Sequence, residues 1–99
     1  MGRAWKDLER EVAKYMRGKR YVRIDYSESA PDVLHPKFSI ECKYRAKLPY
    51  LFTQGMVQAK RYDPEKVPLL VTKQKGSNIS EAIVCIYFKD FINLVYPDE

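Results

Sequence analysis

The chain is poor in the residues that build soft-metal and disulfide sites. It has one histidine, His35, and two cysteines, Cys42 and Cys85, with no CxxC spacing. A zinc centre draws its ligands from such residues at set spacings, so none is expected, and the cysteines read as buried thiols. Long apolar runs are also missing: stretches such as Ile83 to Phe88 fall far short of the roughly 18 residues that suggest a membrane span. Trp5 to Arg17 is amphipathic and densely charged, unlike a signal peptide. A cytosolic protein with no membrane partner is expected. There are no repeats, linkers or low-complexity tracts, which leaves a single domain over residues 1–99.

Positive charge and aromatic residues are abundant. The net charge of +5 fits a polyanionic partner and equally a soluble basic protein. Eight tyrosines, four phenylalanines and a tryptophan, within 45% apolar content, argue against disorder.

Periodicity predicts an α/β chain in the order αβββαββα. Arg3 to Arg17 reads as a helix because Trp5, Leu8, Val12 and Tyr15 or Met16 recur at three- and four-residue steps, and Gly18 ends it. Strands follow at Tyr21 to Asp25, Pro31 to Leu34 and Phe38 to Arg45. A second helix, Leu51 to Tyr62, is closed by Asp63-Pro64. Val67 to Thr72 is apolar enough for a central strand buried on both faces. After a turn at 73–78 come a last strand, Ala82 to Phe88, and a short helix, Lys89 to Val95.

Chemistry concentrates at Asp32, Glu41 and Lys43. Side chains alternate along a strand, so Glu41 and Lys43 share one face while Ile40, Cys42 and Tyr44 share the other. A turn at His35-Pro36-Lys37 would fold Pro31 to Leu34 back and bring Asp32 near Glu41. Two carboxylates suit Mg²⁺, which uses one or two of them with water and substrate phosphate. Such an ion activates a water for attack on a phosphodiester, and Lys43 could orient that water or neutralise developing charge. An acid-x-Lys triplet arises about once by chance in such a composition. The weight therefore rests on the order, the gap and the apolar strand background.

Pro31-Asp32 followed by Glu41-Cys42-Lys43 resembles the signature of the PD-(D/E)XK nuclease superfamily. The stretches Ser29 to Val33, Ser39 to Lys43, Leu48-Pro49 and Gln58-Ala59 resemble small phage-encoded Holliday junction resolvases and, more distantly, the archaeal ones. The resemblance implies a restriction-endonuclease-like core, a central mixed sheet flanked by helices. It implies a catalytic set of Glu9, Asp32, Glu41, Lys43 and Gln58. Mg²⁺, with Mn²⁺ substituting, would be held by Asp32, Glu41, the Cys42 main-chain carbonyl and Glu9, with Glu11 the competing helix acid. One departure stands out: the family's glycine-rich basic loop is replaced by the acidic Asp25-Tyr26-Ser27-Glu28-Ser29.

The expected activity is hydrolysis of four-way or otherwise branched DNA by a homodimer, with phage origin implied by the resemblance. Tyr50, Leu51, Phe52 or Phe91 are candidates for the interface. Candidate DNA contacts are Arg3, Lys6, Ser29, Arg45, Lys47, Lys60 and Arg61, with Arg17, Lys19 and Arg20 as further surface cations. Alternatives are a flap, nicking or restriction-like nuclease on the same core, and a catalytically silent basic module that binds nucleic acid. The like-charge neighbours Lys6 and Arg10 on the first helix do not stabilise it.

Overall fold

The computed structural model describes residues 3–22 and 30–97. It is a small mixed α/β protein with three α-helices and two antiparallel sheets of two strands each. The chain divides into two compact units, residues 1–46 and 47–99. No helix among the described residues is long and apolar enough to cross a membrane.

In the first unit, α1 (Arg3–Met16) leads into β1 (Lys19–Arg20), which pairs with β2 (Val33–Leu34). Arg17 takes the left-handed backbone, φ 57°, that closes the helix. Its N–H donates to the Lys14 carbonyl, and the Gly18 N–H donates to that of Ala13, the paired bonds of a Schellman ending. Glycine at 18 therefore serves proximity rather than φ. A Cβ there would lie 2.5 Å from the Leu34 carbonyl oxygen.

The helix is turned relative to its expected packing. Its buried line is Glu9, Ala13 and Met16, whereas Trp5 and Tyr15 are about half exposed. From the predicted apolar stripe to the observed one is a rotation of about 70°. The reason is chemical: Glu9 has an ion-pair partner in Arg20 of β1, so an acid can sit where the apolar stripe was expected. Val33, fully buried, is the centre of this core.

The turn at His35-Pro36-Lys37 forms. His35 Nδ1 accepts the N–H groups of Lys37 and Phe38, and the returning chain bridges Val33 to Ile40. The strand expected from Phe38 to Arg45 is reduced to that single bridge. Continuing its register sets Pro31 opposite Cys42, where proline has no N–H to give the Cys42 carbonyl, so that ladder bond cannot form. The Cys42 N–H, a donor, goes to the Asp32 carboxylate rather than to a main-chain carbonyl. Of the strand expected from Tyr21 to Asp25, Tyr21 still donates to the Asp32 carbonyl, and residues 23–25 lie outside the described ones.

The second unit holds α2 (Tyr50–Tyr62), β3 (Leu70–Thr72), a 3-10 turn (Ile79–Glu81), β4 (Ile83–Cys85) and α3 (Phe88–Val95). Pro49 precedes α2 and Asp63 ends it, as expected. β3 and β4 pair in the register Leu70 to Cys85 and Thr72 to Ile83. The expected burial of Val67 to Thr72 on both faces does not hold, since Val67, Leu69 and Val71 are each about half exposed. Leu70 meets α2 at Gly55, so within this unit α2 covers one face. Among the described residues the strands form these two antiparallel pairs.

The two glycines predict opposite outcomes. Gly18→Ala presses on a main-chain oxygen that cannot step aside, and a loss of about 1–3 kcal/mol is expected. At Gly55 the atoms nearest to a new Cβ belong to the Leu70 side chain, its two methyls and Cγ, which can shift where a main-chain oxygen cannot, and the roughly 1 kcal/mol gain in helix propensity offsets the crowding. Urea midpoints should fall clearly for the first and stay near the parent for the second. Equal midpoints for both would show that the end of α1 is not held against β2.

Candidate functional site

Asp32 immediately precedes β2 and joins three stretches of chain. Its N–H donates to the Ile40 carbonyl at 2.8 Å and its carbonyl accepts from Tyr21 at 3.0 Å. Its carboxylate Oδ2 accepts the Cys42 N–H at 2.6 Å, the short distance of a charge-assisted bond. Asp32 is only 6% exposed.

The second buried acid is Glu9, also 6% exposed. Its Oε1 accepts from Arg20 Nε at 2.8 Å. Glu11, the competing acid, lies on the exposed side of α1. Arg20, counted from the sequence among the surface cations, is committed to this pair. Its signal was its place at the start of a strand beside a helix acid, visible only once the packing is known.

Glu41 and Lys43 stand two residues apart on the extended segment after Ile40, both exposed, with Lys43 Nζ 3.2 Å from Glu41 Oε2. They share a face, as the alternation predicts. Between them Cys42 records the surrounding charge. Burial, then the charges of Asp32, Glu9 and Glu41, push its thiol up from 9.0 to about 11. Three acids of the first unit thus act on one position.

Other predicted residues fall elsewhere. Arg3 and Lys6 are exposed on α1 and Arg45 on the chain after Lys43, while Ser29 lies outside the described residues. Gln58, Lys60 and Arg61 are exposed on α2, and Lys47 is exposed just before it, all in the second unit. That unit has a cavity of about 410 Å³ lined by Leu51, Phe52, Lys73 and Ile83 among others, and Gln58 of the same unit is not part of its lining. Lys60, with Lys66 and Lys89, lines a smaller one of about 190 Å³.

The donor set suits a hard cation. Asp32, Glu41 and the Cys42 carbonyl offer oxygen, and a thiol held protonated is a poor soft ligand. Among the described residues no three His, Cys, Asp or Glu side chains form a ready cage. Mg²⁺ does not need one, because it keeps several waters and is bound through one or two carboxylates plus substrate.

The raised thiol is measurable. In a Cys85→Ala background with EDTA present, alkylation of Cys42 should follow a titration midpoint near 11, and Asp32→Asn should lower it by removing one of the repelling charges. Folding favours the protonated thiol, so the Cys42 contribution to stability is whole below about pH 9 and fades as pH rises toward 11. A midpoint at or below 9 would mean that the acids do not surround this residue.

Comparison with protein-family models, with curated proteins and with solved structures finds no match to this chain.

Proposed function

We propose that the protein is a Mg²⁺-dependent, structure-selective DNA endonuclease that hydrolyses branched DNA as a homodimer, on a restriction-endonuclease-like core with a central mixed sheet. The observation that carries this reading is the pair of buried carboxylates, Glu9 and Asp32, converging with Glu41 on Cys42. Burying carboxylates is costly unless each is paired or used, and three acids gathered in a unit of 46 residues fit a cation-binding role.

Asp32 and Glu41, with the Cys42 carbonyl and Glu9 behind them, would hold the ion. Bound there, Mg²⁺ supplies Lewis acidity and a water of lowered pKa. The main-chain bonds of Asp32 fix its carboxylate relative to Glu41. Lys43 places an ammonium beside Glu41, where it can orient a water or neutralise charge building on the phosphate oxygens. Gln58 of the second unit is proposed to contact a phosphate or the attacking water. Among the cations, Arg45 and Lys47 follow the motif segment directly.

A catalytically silent nucleic-acid-binding module is the second reading. It draws on the two ion pairs, Glu9 with Arg20 and Glu41 with Lys43, which satisfy these acids without a metal. Mg²⁺ titrations on immobile four-way junctions, flaps and linear duplex in parallel separate the readings. Cleavage of none of them at any Mg²⁺ or Mn²⁺ concentration would leave only the module.

If the nuclease reading holds, Asp32→Asn or Glu41→Gln lowers cleavage by about 10²-fold or more, with folding and binding nearly intact because asparagine can still accept the Cys42 N–H. Lys43→Ala should depress turnover more than binding. Near-parental turnover of either acid variant would displace the site.

Paired nicks on a junction need two centres, so sedimentation should show a dimer at micromolar concentration. Heterodimers of parental and Glu41→Gln subunits should nick one strand only. A strict monomer that still makes paired symmetric cuts would overturn the homodimer.

A further inference from the structure

We infer that the exposed flank of α1 is a rail for the sugar-phosphate backbone of a nucleic acid, made by Arg3, Lys6, Arg10 and Lys14. At about 100° per residue these four positions fall within about 80° of one another, and all four are exposed. Their line runs about 16 Å along the helix. Phosphates of one duplex strand rise about 3.4 Å along the axis but stand roughly twice as far apart along the winding backbone, so the line can face about three of them.

Three observations point to a polyanion rather than to an ordinary solvated face. The cations repeat at three- and four-residue steps, so each is the neighbour of another like charge, which works against the helix. Two of them, Arg3 and Lys6, stand at the start of α1, where no acid balances the positive end of the helix dipole. Asp7, which accepts from Arg10 at 3.0 Å, and the exposed Glu11, three residues before Lys14, are the acids beside the line, so the four cations outnumber them. Lys6 and Lys14 rest against the neighbouring rings of Trp5 and Tyr15, exposed contacts that a phosphate can replace.

The same helix, amphipathic and basic, could be read as a membrane-surface helix. Its packing argues otherwise. The line Glu9, Ala13 and Met16 is buried against β1 and β2 and Leu8 and Val12 are half-buried, which leaves Trp5 and Tyr15 as the exposed large apolar side chains of α1. The cationic line lies about 100° around the helix from the buried one, and the two half-exposed rings beside it offer a bilayer little to bury. Arg10 and Lys14 extend the contact set of the proposed function along the whole of α1.

The inference rests on the nucleic-acid part of that function and not on hydrolysis, and salt dependence reads it directly. Binding of the full chain to a labelled linear duplex and to a four-way junction is measured in EDTA over a series of KCl concentrations. The variants are Arg10→Gln with Lys14→Gln, all four rail positions to Gln, and a control with Lys37, Lys66, Lys75 and Lys89 changed to Gln. Circular dichroism establishes that each is folded. Each lost phosphate contact should reduce the slope of log K against log salt by about 0.9, so the fourfold rail variant loses about 3 while the control loses at most about 1. Arg10→Lys should retain the parental slope.

Rail variants with the parental slope and affinity would overturn the inference, as would a control that falls as far, since net charge alone would then explain binding. Tighter, rail-dependent binding to vesicles of phosphatidylserine and phosphatidylcholine than to DNA would reassign the surface to a membrane. Rail-dependent binding without cleavage in Mg²⁺ would retire the nuclease and keep the rail. Cleavage of DNA by rail variants with unchanged salt dependence would do the reverse.

Discussion

The bond from the Cys42 N–H to the Asp32 carboxylate is the joint on which the first unit turns. A regular strand pair in this place would have closed with main-chain bonds, but Pro31 has no N–H to contribute, and the Cys42 N–H finds the Asp32 carboxylate as its acceptor. The N–H and carbonyl of Asp32 itself are spent on Ile40 and Tyr21. One residue therefore holds β1, β2 and the Glu41 to Lys43 segment in register. An apolar residue at 32 would leave the Cys42 N–H without this partner and remove a carboxylate from the cluster at once. Structure and candidate chemistry depend on the same atom.

The placement of charge shows a tension. Most of the net positive charge lies in residues 1–46, yet the interior of that unit collects acids. A phosphate drawn toward the basic exterior is repelled by those acids unless a cation stands between them. Ion and polyanion binding would thus be coupled, each weakened without the other. Arg20 moderates the field from inside by pairing with Glu9, and Lys43 does so at the exposed edge.

Much of the local structure was legible from residue patterns. The turn at His35, the shared face of Glu41 and Lys43, the approach of Asp32 to that segment, and the limits of α2 all follow from short-range rules. Three features were not. The rotation of α1 depends on Arg20, a partner that is distant in sequence and whose pairing cancels the penalty on burying Glu9. Gly18 was expected to end α1, but the left-handed residue at that end is Arg17, and Gly18 sits where the chain passes the Leu34 carbonyl. The third strand shrinks to one bridge, because alternation does not register that Pro31 has no N–H for the Cys42 carbonyl opposite it. In each case periodicity identified the element, and a single cross-chain contact decided its final geometry.

The described links of the site also share a kinetic property. Asp32 and Cys42 are ten residues apart, Glu9 and Arg20 eleven, and His35 closes the turn within three. Loop-closure entropy rises with the length enclosed, and folding rates fall as contacting residues grow more distant along the chain. A centre tied by contacts this local can gather its acids early in folding and regain them quickly after a transient opening. Its geometry is restored by short searches of the chain.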